Sequence, residues 1–353
     1  MRKWSEILLF IGIATTVLAG WWLHQREASH SVPPAHTSTQ NFASADISSE
    51  EIPKDGAAAE ARPSCDSLLS SKSAVQANAN SRDAYVQFCL GLVYEAGHVV
   101  PRDYSKAMAW YRRAAEQGDE YAQYNLGSMY NNGEGVPRDY AQAAAWFLKS
   151  AEQGLTQAQY TIGRMYHNGK GIPQDYARAL VWYQKAAEQG DALSQLNLGI
   201  MYAEGQGGPQ DNVQAISWFR KAAEQGSSEA KFNLGLMYHK GQGVPLDYAQ
   251  AMAWYRQAAE EGYYQAQCNL GFMYNNGLGV TQNYAEAYYW FAIAAASAES
   301  AEIDIAGKKQ IIKLRDDAAS HLTPTVLFRE QKRVNEWVES EAGYCDTSRY
   351  RVR

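Results

Sequence analysis

This chain of 353 residues has few cysteines and no excess of positive charge. Four cysteines are too few to hold together a disulfide-dense scaffold. The 32 lysines and arginines are outnumbered by 38 aspartates and glutamates, which gives a formal net charge of −6. Because phosphate backbones are bound through basic surfaces, this balance argues against nucleic acid as the main ligand. The 24 tyrosines, 10 tryptophans and 28 glycines are, in contrast, unusually many.

Long apolar runs are also lacking, with one exception near the N-terminus. Arg2 and Lys3 precede a mostly apolar run over residues 7–23, which is at the short end of what crosses a bilayer. Basic charge before the run and two tryptophans at its far end predict a membrane anchor (1–23), with the rest of the chain outside the cytoplasm. A signal peptide cleaved after Ala19 is the alternative. Both interpretations export the body of the protein.

The next segment, residues 24–64, is rich in serine, alanine, threonine and proline and has few large apolar side chains. Such a composition cannot bury enough surface to offset the entropy of ordering. We interpret it as a flexible tether whose ends are separated by roughly 35 Å on average.

The rest of the chain is dominated by a period of 36 residues, which passes through six registers without an insertion. Three columns recur in every register: Tyr94, Tyr130, Tyr166, Tyr202, Tyr238 and Tyr274; Gly91, Gly127, Gly163, Gly199, Gly235 and Gly271; and Trp110, Trp146, Trp182, Trp218, Trp254 and Trp290. A fixed period of this size is typical of stacked repeat arrays, so we interpret the columns, the tryptophans included, as structural packing positions.

One unit, residues 121–154, predicts two helices joined by a loop. Its first half has apolar residues at helical spacing, and glycines and a proline at 133–137 then break the helix. Asp139 is placed to cap the second helix, and Gly154 is suited to a left-handed C-terminal cap. Gly127 lacks a side chain, which allows close approach of a neighbouring helix. The chain is therefore predicted to be all-α, a superhelical solenoid of six helix-turn-helix repeats over residues 83–298.

The amino-acid sequence of this unit resembles that of a known repeat family. Ala-Gln-Tyr-Asn-Leu-Gly-Ser-Met-Tyr (122–130), Gly-Glu-Gly-Val-Pro (133–137), Ala-Ala-Trp-Phe (144–147) and Ala-Glu-Gln-Gly (151–154) are similar to the Sel-one-like repeat, a relative of the tetratricopeptide repeat. The resemblance implies a right-handed superhelix of antiparallel helix pairs with a concave groove lined by the first helices. It also implies an adaptor that scaffolds protein complexes, in bacteria often in the envelope or at the host interface. It brings no catalytic residues.

The sequence predicts a capping segment at each end of the array. Residues 65–82 would form an N-terminal cap, with one short helix over 64–78, and residues 299–353 a C-terminal cap and tail. In the latter we expect a helix over about 301–320 and a last helix that begins at Thr323 and Pro324. Terminal repeats need such covers because their outer faces would otherwise be bare.

The four cysteines lie in pairs near the two ends of the array. In an oxidising compartment, Cys65 with Cys89 and Cys268 with Cys345 could form two disulfides that fix the caps. Free, buried thiols are the alternative.

A catalytic or metal centre is not predicted. The sequence has one Ser-x-x-Lys, Ser228 to Lys231, of the kind found in penicillin-recognising enzymes, and β-lactamase activity is attributed to a cysteine-rich branch of the resembled family. The partner motifs are absent, and Lys231 occupies a repeat column that elsewhere holds glutamine.

His167 and His239 are two repeats apart, and no cluster has zinc spacing. The glycine-rich loops follow helices rather than strands, as helix breakers do. We therefore expect no enzyme, metal or cofactor.

The candidate site is a binding surface on the first helices, whose outward columns vary between repeats. Rigidly backed aromatics make good anchors for a peptide. The predicted groove residues are Tyr124, Tyr160, Arg164, His167, Phe232, Leu236, His239 and Phe272. Packing within the array is the alternative for the aromatics, and a solvated face is the alternative for the arginine and the histidines.

The sequence thus predicts a membrane-tethered adaptor of the bacterial inner membrane, with its body in the periplasm and a protein or peptide in its groove. A secreted or soluble periplasmic protein that acts on host or cell-wall components is the second hypothesis, and a β-lactamase-like hydrolase is a distant third.

Overall fold

The structure is a computed structural model, and it describes residues 64–300 and 305–344. Every regular element within these ranges is an α-helix. In chain order they are α1 (Cys65–Leu68), α2 (Lys72–Asn78), α3 (Ala84–Ala96), α4 (Tyr104–Glu116), α5 (Glu120–Asn132), α6 (Tyr140–Glu152), α7 (Thr156–Asn168), α8 (Tyr176–Glu188), α9 (Ala192–Glu204), α10 (Asn212–Glu224), α11 (Ser228–Lys240), α12 (Tyr248–Glu260), α13 (Tyr264–Asn276), α14 (Tyr284–Ser300), α15 (Ile305–Ser320) and α16 (Pro324–Tyr344). The prediction of an all-α solenoid is confirmed.

The six repeats are the pairs α3–α4, α5–α6, α7–α8, α9–α10, α11–α12 and α13–α14. Each helix packs on its own partner and on the next helix along the chain. The helix limits recur because the same end residues recur. Asp139 accepts hydrogen bonds from the backbone of Ala141 and Gln142 at 3.0 Å, as the sequence predicts for an N-cap. Gly133 ends α5 at φ +79°, and Gly154 follows α6 at φ +102°, conformations that suit glycine.

The innermost side chain of each repeat is the residue after the tryptophan. Tyr111, Phe147, Tyr183, Phe219, Tyr255 and Phe291 are at most 3% exposed. Each ring lies against the recurrent glycine of its own first helix. A Cβ added at Gly127 would lie 2.9 Å from the ring of Phe147. The glycine column is therefore needed because this ring occupies the space of a side chain.

The tryptophans lie further out than the sequence suggests. Trp110, Trp146 and Trp254 are half-buried, and the other three are buried but not fully enclosed. In four repeats a cation one turn later on the helix covers the indole. Lys149, for example, places its Nζ 4.0 Å from the ring centroid of Trp146. These tryptophans seal the outer side of the core rather than fill its centre.

A ladder of glutamine pairs, each with one buried and one exposed member, joins the two helices of a repeat and also contacts the repeat before it. Gln123 donates to the carbonyl of Ala115 at 3.1 Å and accepts from Gln153 at 2.8 Å. The same side-chain pair recurs as Gln87–Gln117, Gln159–Gln189 and Gln195–Gln225. Burying an amide requires such partners, so the ladder fixes the register of stacking.

The N-terminal cap differs from the single helix that the sequence predicts. It contains two short helices, α1 and α2, because Ser71 caps a new start by accepting from the backbone of Ala74 at 3.2 Å. A disulfide joins Cys65 in α1 to Cys89 in α3, with their Cα atoms 5.1 Å apart. Leu69 and Val75 are buried against the same cluster. The cap is thus attached covalently as well as by packing.

The C-terminal cap consists of α15 and α16. Helix α15 begins at Ile305, within the predicted range, and residues 301–304 lie outside the described residues. The hydroxyl of Thr323 accepts from the backbone of Val326 at 3.4 Å at the start of α16. Leu327, Val334 and Trp337 pack against the last core cluster. The end of the array is therefore covered, as a solenoid requires.

Two predictions fall on parts of the chain that are not described. The anchor and nearly all of the tether lie in residues 1–63, and Cys345 lies in residues 345–353. Within 64–300 and 305–344, none of the helices combines the length and the apolar character that crossing a bilayer requires.

Candidate protein-binding face

The outward side of α3, α5, α7, α9, α11 and α13 forms one continuous surface, here called the first-helix face. Its three central columns lie on the same side of each helix, away from the buried glycine and leucine. They are Tyr85, Tyr121, Gln157, Leu193, Glu229 and Gln265; Phe88, Tyr124, Tyr160, Leu196, Phe232 and Cys268; and Leu92, Ser128, Arg164, Ile200, Leu236 and Phe272. All the predicted groove residues except the two histidines lie in these columns.

The aromatics of the second column are half-buried. The ring of Tyr124 lies 5.3 Å from that of Phe147, and the ring of Tyr160 lies 5.9 Å from that of Tyr183. Phe232 packs in the same way on Tyr255 at 5.8 Å. Each ring therefore packs on the core with one side and is accessible at the surface with the other. It can serve both as a packing residue and as a contact for a bound peptide.

Arg164 is exposed in the middle of this face. Its guanidinium lies 5.7 Å from the ring centroid of Tyr160, a cation–π arrangement that holds the charge beside an aromatic surface. Burial raises the pKa of Tyr160, with Arg164 acting in the opposite direction. Among the residues that the structure describes, no carboxylate lies within 4.0 Å of this guanidinium.

The two predicted histidines are engaged in contacts at the edge of the face and are not brought together. His167 Nε2 lies 2.9 Å from Gln206 Oε1, and its ring meets that of Tyr176 edge-on at 5.1 Å. His239 meets Tyr248 edge-on at 5.3 Å, and burial, with the nearby Lys240, lowers its pKa. No group of potential metal ligands occurs in the described ranges.

Sequence reasoning missed several members of this face. Tyr121 and Leu193 are large apolar side chains that are 49% and 53% exposed, one column before the predicted aromatics. Tyr121 extends the aromatic surface, because its ring lies 5.9 Å from Phe88 of the preceding repeat. The available signal was their position three residues before the aromatic column, which places them on the same side of the helix.

The Ser-x-x-Lys sequence forms a structural contact. Lys231 pairs with Glu261, and the hydroxyl of Ser228 donates to the other oxygen of the same carboxylate at 2.6 Å. Burial raises the pKa of Glu261, but the hydrogen bonds from Lys231 and Ser228 outweigh it and lower the pKa below its ordinary value. Lys231 is 9% exposed and takes the place of the ladder glutamine, as its column predicts.

The family of the chain follows from the repeats themselves. The family model of the Sel1 repeat matches six consecutive segments, residues 84–119, 120–155, 156–191, 192–227, 228–263 and 265–298. The chain is a Sel1-repeat protein. These segments coincide with the six helix pairs described above, so the resemblance to the Sel-one-like repeat is confirmed.

Two solved structures share this architecture. The protective antigen c5321 of uropathogenic Escherichia coli, which displays an SLR fold, is 37% identical, with a TM-score of 0.63 over 79% of this chain and 58% of the antigen. A Sel1 repeat protein from Oxalobacter formigenes is 33% identical, with a TM-score of 0.55 over 61% of this chain and 85% of its own. The Sel1-repeat chain therefore spans little more than half the length of the antigen. None of the curated proteins matches it.

Sel1-repeat scaffolds typically mediate protein–protein interactions and are typically not enzymes. The first-helix face is consistent with that general role, because it presents apolar and charged side chains on a rigid support.

Proposed function

We propose that this Sel1-repeat protein is an adaptor that binds a protein or peptide segment on its first-helix face. The observation that carries the proposal is the cluster of available side chains in repeats 2 to 4. Tyr121 and Leu193 are about half exposed, and Tyr124 and Tyr160 present one side to the surface. Arg164 stands exposed among them.

Aromatic and arginine side chains on a rigid support are favourable anchors, because little conformational freedom remains to be lost on binding. The rings here are held by contact with the buried Phe147 and Tyr183. We therefore propose Tyr124, Tyr160, Arg164, Phe232, Leu236 and Phe272 as contact residues. His167 and His239 border the surface.

We further propose that residues 7–23 anchor the protein in the bacterial inner membrane, with the array in the periplasm. The Cys65–Cys89 disulfide supports export, since structural disulfides persist in oxidising compartments. A secreted or soluble periplasmic protein is the second candidate, favoured by Ala19 as a cleavage position.

Affinity capture tests the binding proposal. The exported full-length chain is compared with the double variant Tyr160→Ala/Arg164→Glu and with the control Arg220→Glu, which reverses an exposed charge on a second helix. Circular dichroism first establishes that all three are folded. We expect the control to retain the wild-type partners and the double variant to lose them. Identical partners for all three proteins would contradict the proposal.

The location is tested by fractionation and by the N-terminal sequence of the mature chain. The anchored form predicts a chain that retains residues 7–23 and sediments with the membrane. A soluble chain that begins after Ala19 would favour the second candidate.

A further inference from the structure

The central columns of the first-helix face carry only two charged side chains, and these have opposite sign. Arg164 is in repeat 3 and Glu229 is in repeat 5. The other sixteen positions are apolar, aromatic, hydroxyl or amide side chains. In contrast, the second helices carry a lysine or arginine and a glutamate in nearly every repeat. Two isolated charges on an otherwise weakly polar surface point to recognition rather than to general solvation.

Neither charge forms an ion pair within 4.0 Å in the part of the chain that the structure describes. Arg164 lies over the ring of Tyr160, whose pKa is also affected by Asp191. Glu229 is half-buried, and no lysine, arginine or histidine nitrogen lies within 4.0 Å of it. Burial raises the pKa of the Glu229 carboxyl, because the charged form loses water. A carboxylate in this situation gains from a cation supplied by a partner.

The two charges lie on the same face of the array. Arg164 and Glu229 both belong to its central columns, two repeats apart. Tyr160 is the residue on which Arg164 lies. A single bound segment that crosses the ring of Tyr160 can therefore reach both charges.

We propose that the first-helix face binds an extended, mostly apolar peptide segment that places an acidic side chain on Arg164 and a basic side chain on Glu229. The inference rests on the proposed function and adds the chemistry of the partner. The apolar part of the segment lies on Tyr160 and Leu193. The charges set the register and direction of the segment, while the apolar contacts supply most of the affinity.

The spacing of the two charged residues in the ligand follows from the repeat. Packed helices lie about 8–10 Å apart, so two repeats separate the charges by on the order of 20 Å. An extended peptide advances about 3.3 Å per residue. The acidic and basic residues of the ligand are therefore expected about six positions apart.

Selection from a displayed library of random linear peptides tests the inference on the full chain. We expect enrichment of peptides with an acidic and a basic residue about six positions apart and apolar residues between them. The affinity of one selected peptide is then measured for wild type, Arg164→Glu, Glu229→Lys and the control Arg220→Glu. Each face variant should weaken binding about tenfold, and the control should not change it. Exchanging the acidic residue of the peptide for lysine should recover binding to Arg164→Glu.

The outcomes separate this inference from the function on which it rests. Selected peptides without a charge pattern, but weakened by Leu193→Ser, would overturn the charge assignment and leave the binding face in place. Selected peptides that are indifferent to Leu193→Ser and to both charge reversals, or no enrichment at all, would count against both.

Discussion

Lys231 and Glu261 form an ion pair in the position where each of four other repeats joins two glutamines. Both arrangements satisfy the same buried site with one donor and one acceptor. In the sixth repeat the residue thirty positions after Gln267 is Ser297, and Gln267 Oε1 is buried without a hydrogen bond. A serine is too short to replace the partner side chain there.

This relationship predicts strong coupling between Lys231 and Glu261. Glu261→Gln removes the carboxylate from an ammonium group that is 9% exposed, and should lower the free energy of unfolding by about 1–3 kcal/mol. Lys231→Gln should cost less, because the Glu261 side chain is 39% exposed. The double variant Lys231→Gln/Glu261→Gln recreates the glutamine pair and should return close to wild type. Urea denaturation of all four proteins measures the cycle, and additive single effects would refute the coupling.

The same pair predicts a loss of stability in acid. The pKa of Glu261 is lowered in the folded chain from 4.5, so the unfolded state binds its proton first. The stabilisation is therefore complete above about pH 4.5 and is lost as the pH falls through the folded pKa. The difference in unfolding free energy between wild type and Glu261→Gln should shrink below pH 4.5. A difference that is constant from pH 7 to pH 3 would contradict this assignment.

Within one repeat, the innermost side chain Phe147 should matter more for stability than the larger Trp146. Phe147 is 3% exposed, whereas the larger Trp146 is half-buried and covered by Lys149. Phe147→Ala should lower the free energy of unfolding by about 3–5 kcal/mol, and Trp146→Ala by less than about 3 kcal/mol. Chemical denaturation compares the two variants. A greater loss for Trp146→Ala would show that Trp146, rather than Phe147, contributes most to the core of this repeat.

Glu95 has the opposite pH behaviour to Glu261. Burial raises its pKa, although the hydrogen bond from Tyr111 opposes this and Glu134 adds to it. A raised pKa means that the folded state takes up the proton first, so wild type should gain stability relative to Glu95→Gln as the pH falls from 7 towards 4.5. Paired thermal melts across this range provide the measurement. If acidification instead lowers the stability of wild type relative to Glu95→Gln, the folded protein stabilises the charged carboxylate and this prediction is wrong.

The cysteines predict a defined alkylation pattern. Cys65 and Cys89 should react only after reduction, and opening their loop should cost about 3 kcal/mol. Cys268 carries a free thiol in the structure, and burial raises its pKa to about 12, so the native protein should alkylate slowly there. The predicted Cys268–Cys345 bridge involves a residue outside the described range. Mass mapping after denaturation without reductant checks both pairs, because an alkylated Cys268 excludes the second bridge and an alkylated Cys65 excludes the first.

The period of the sequence was sufficient to predict the helix pairs and their caps, since Asp139 and Gly133 act through local backbone geometry. It was not sufficient to identify the innermost side chain of each repeat. The tryptophan column is invariant, whereas the next column alternates between tyrosine and phenylalanine and attracts less notice. What distinguishes Phe147 is contact with Gly127 on another helix, and only tertiary structure shows this.

The candidate site was predictable in part for a similar reason. Helical spacing places Tyr160 and Arg164 on one side of α7, but their cation–π contact depends on rotamers. The exposure of Leu193 and the isolation of Glu229 depend on neighbouring repeats. The split of the N-terminal cap into two helices depends on Ser71, whose capping role competes with a continuous helix.

The most direct test of the proposed binding face is photo-crosslinking in living cells. A photoreactive amino acid is introduced at Ser128 on the first-helix face or at Ser217 on a second helix, and adducts are identified by mass spectrometry. The account predicts discrete protein adducts from Ser128 and none from Ser217. Adducts of equal yield from both positions, or from Ser217 alone, would contradict it.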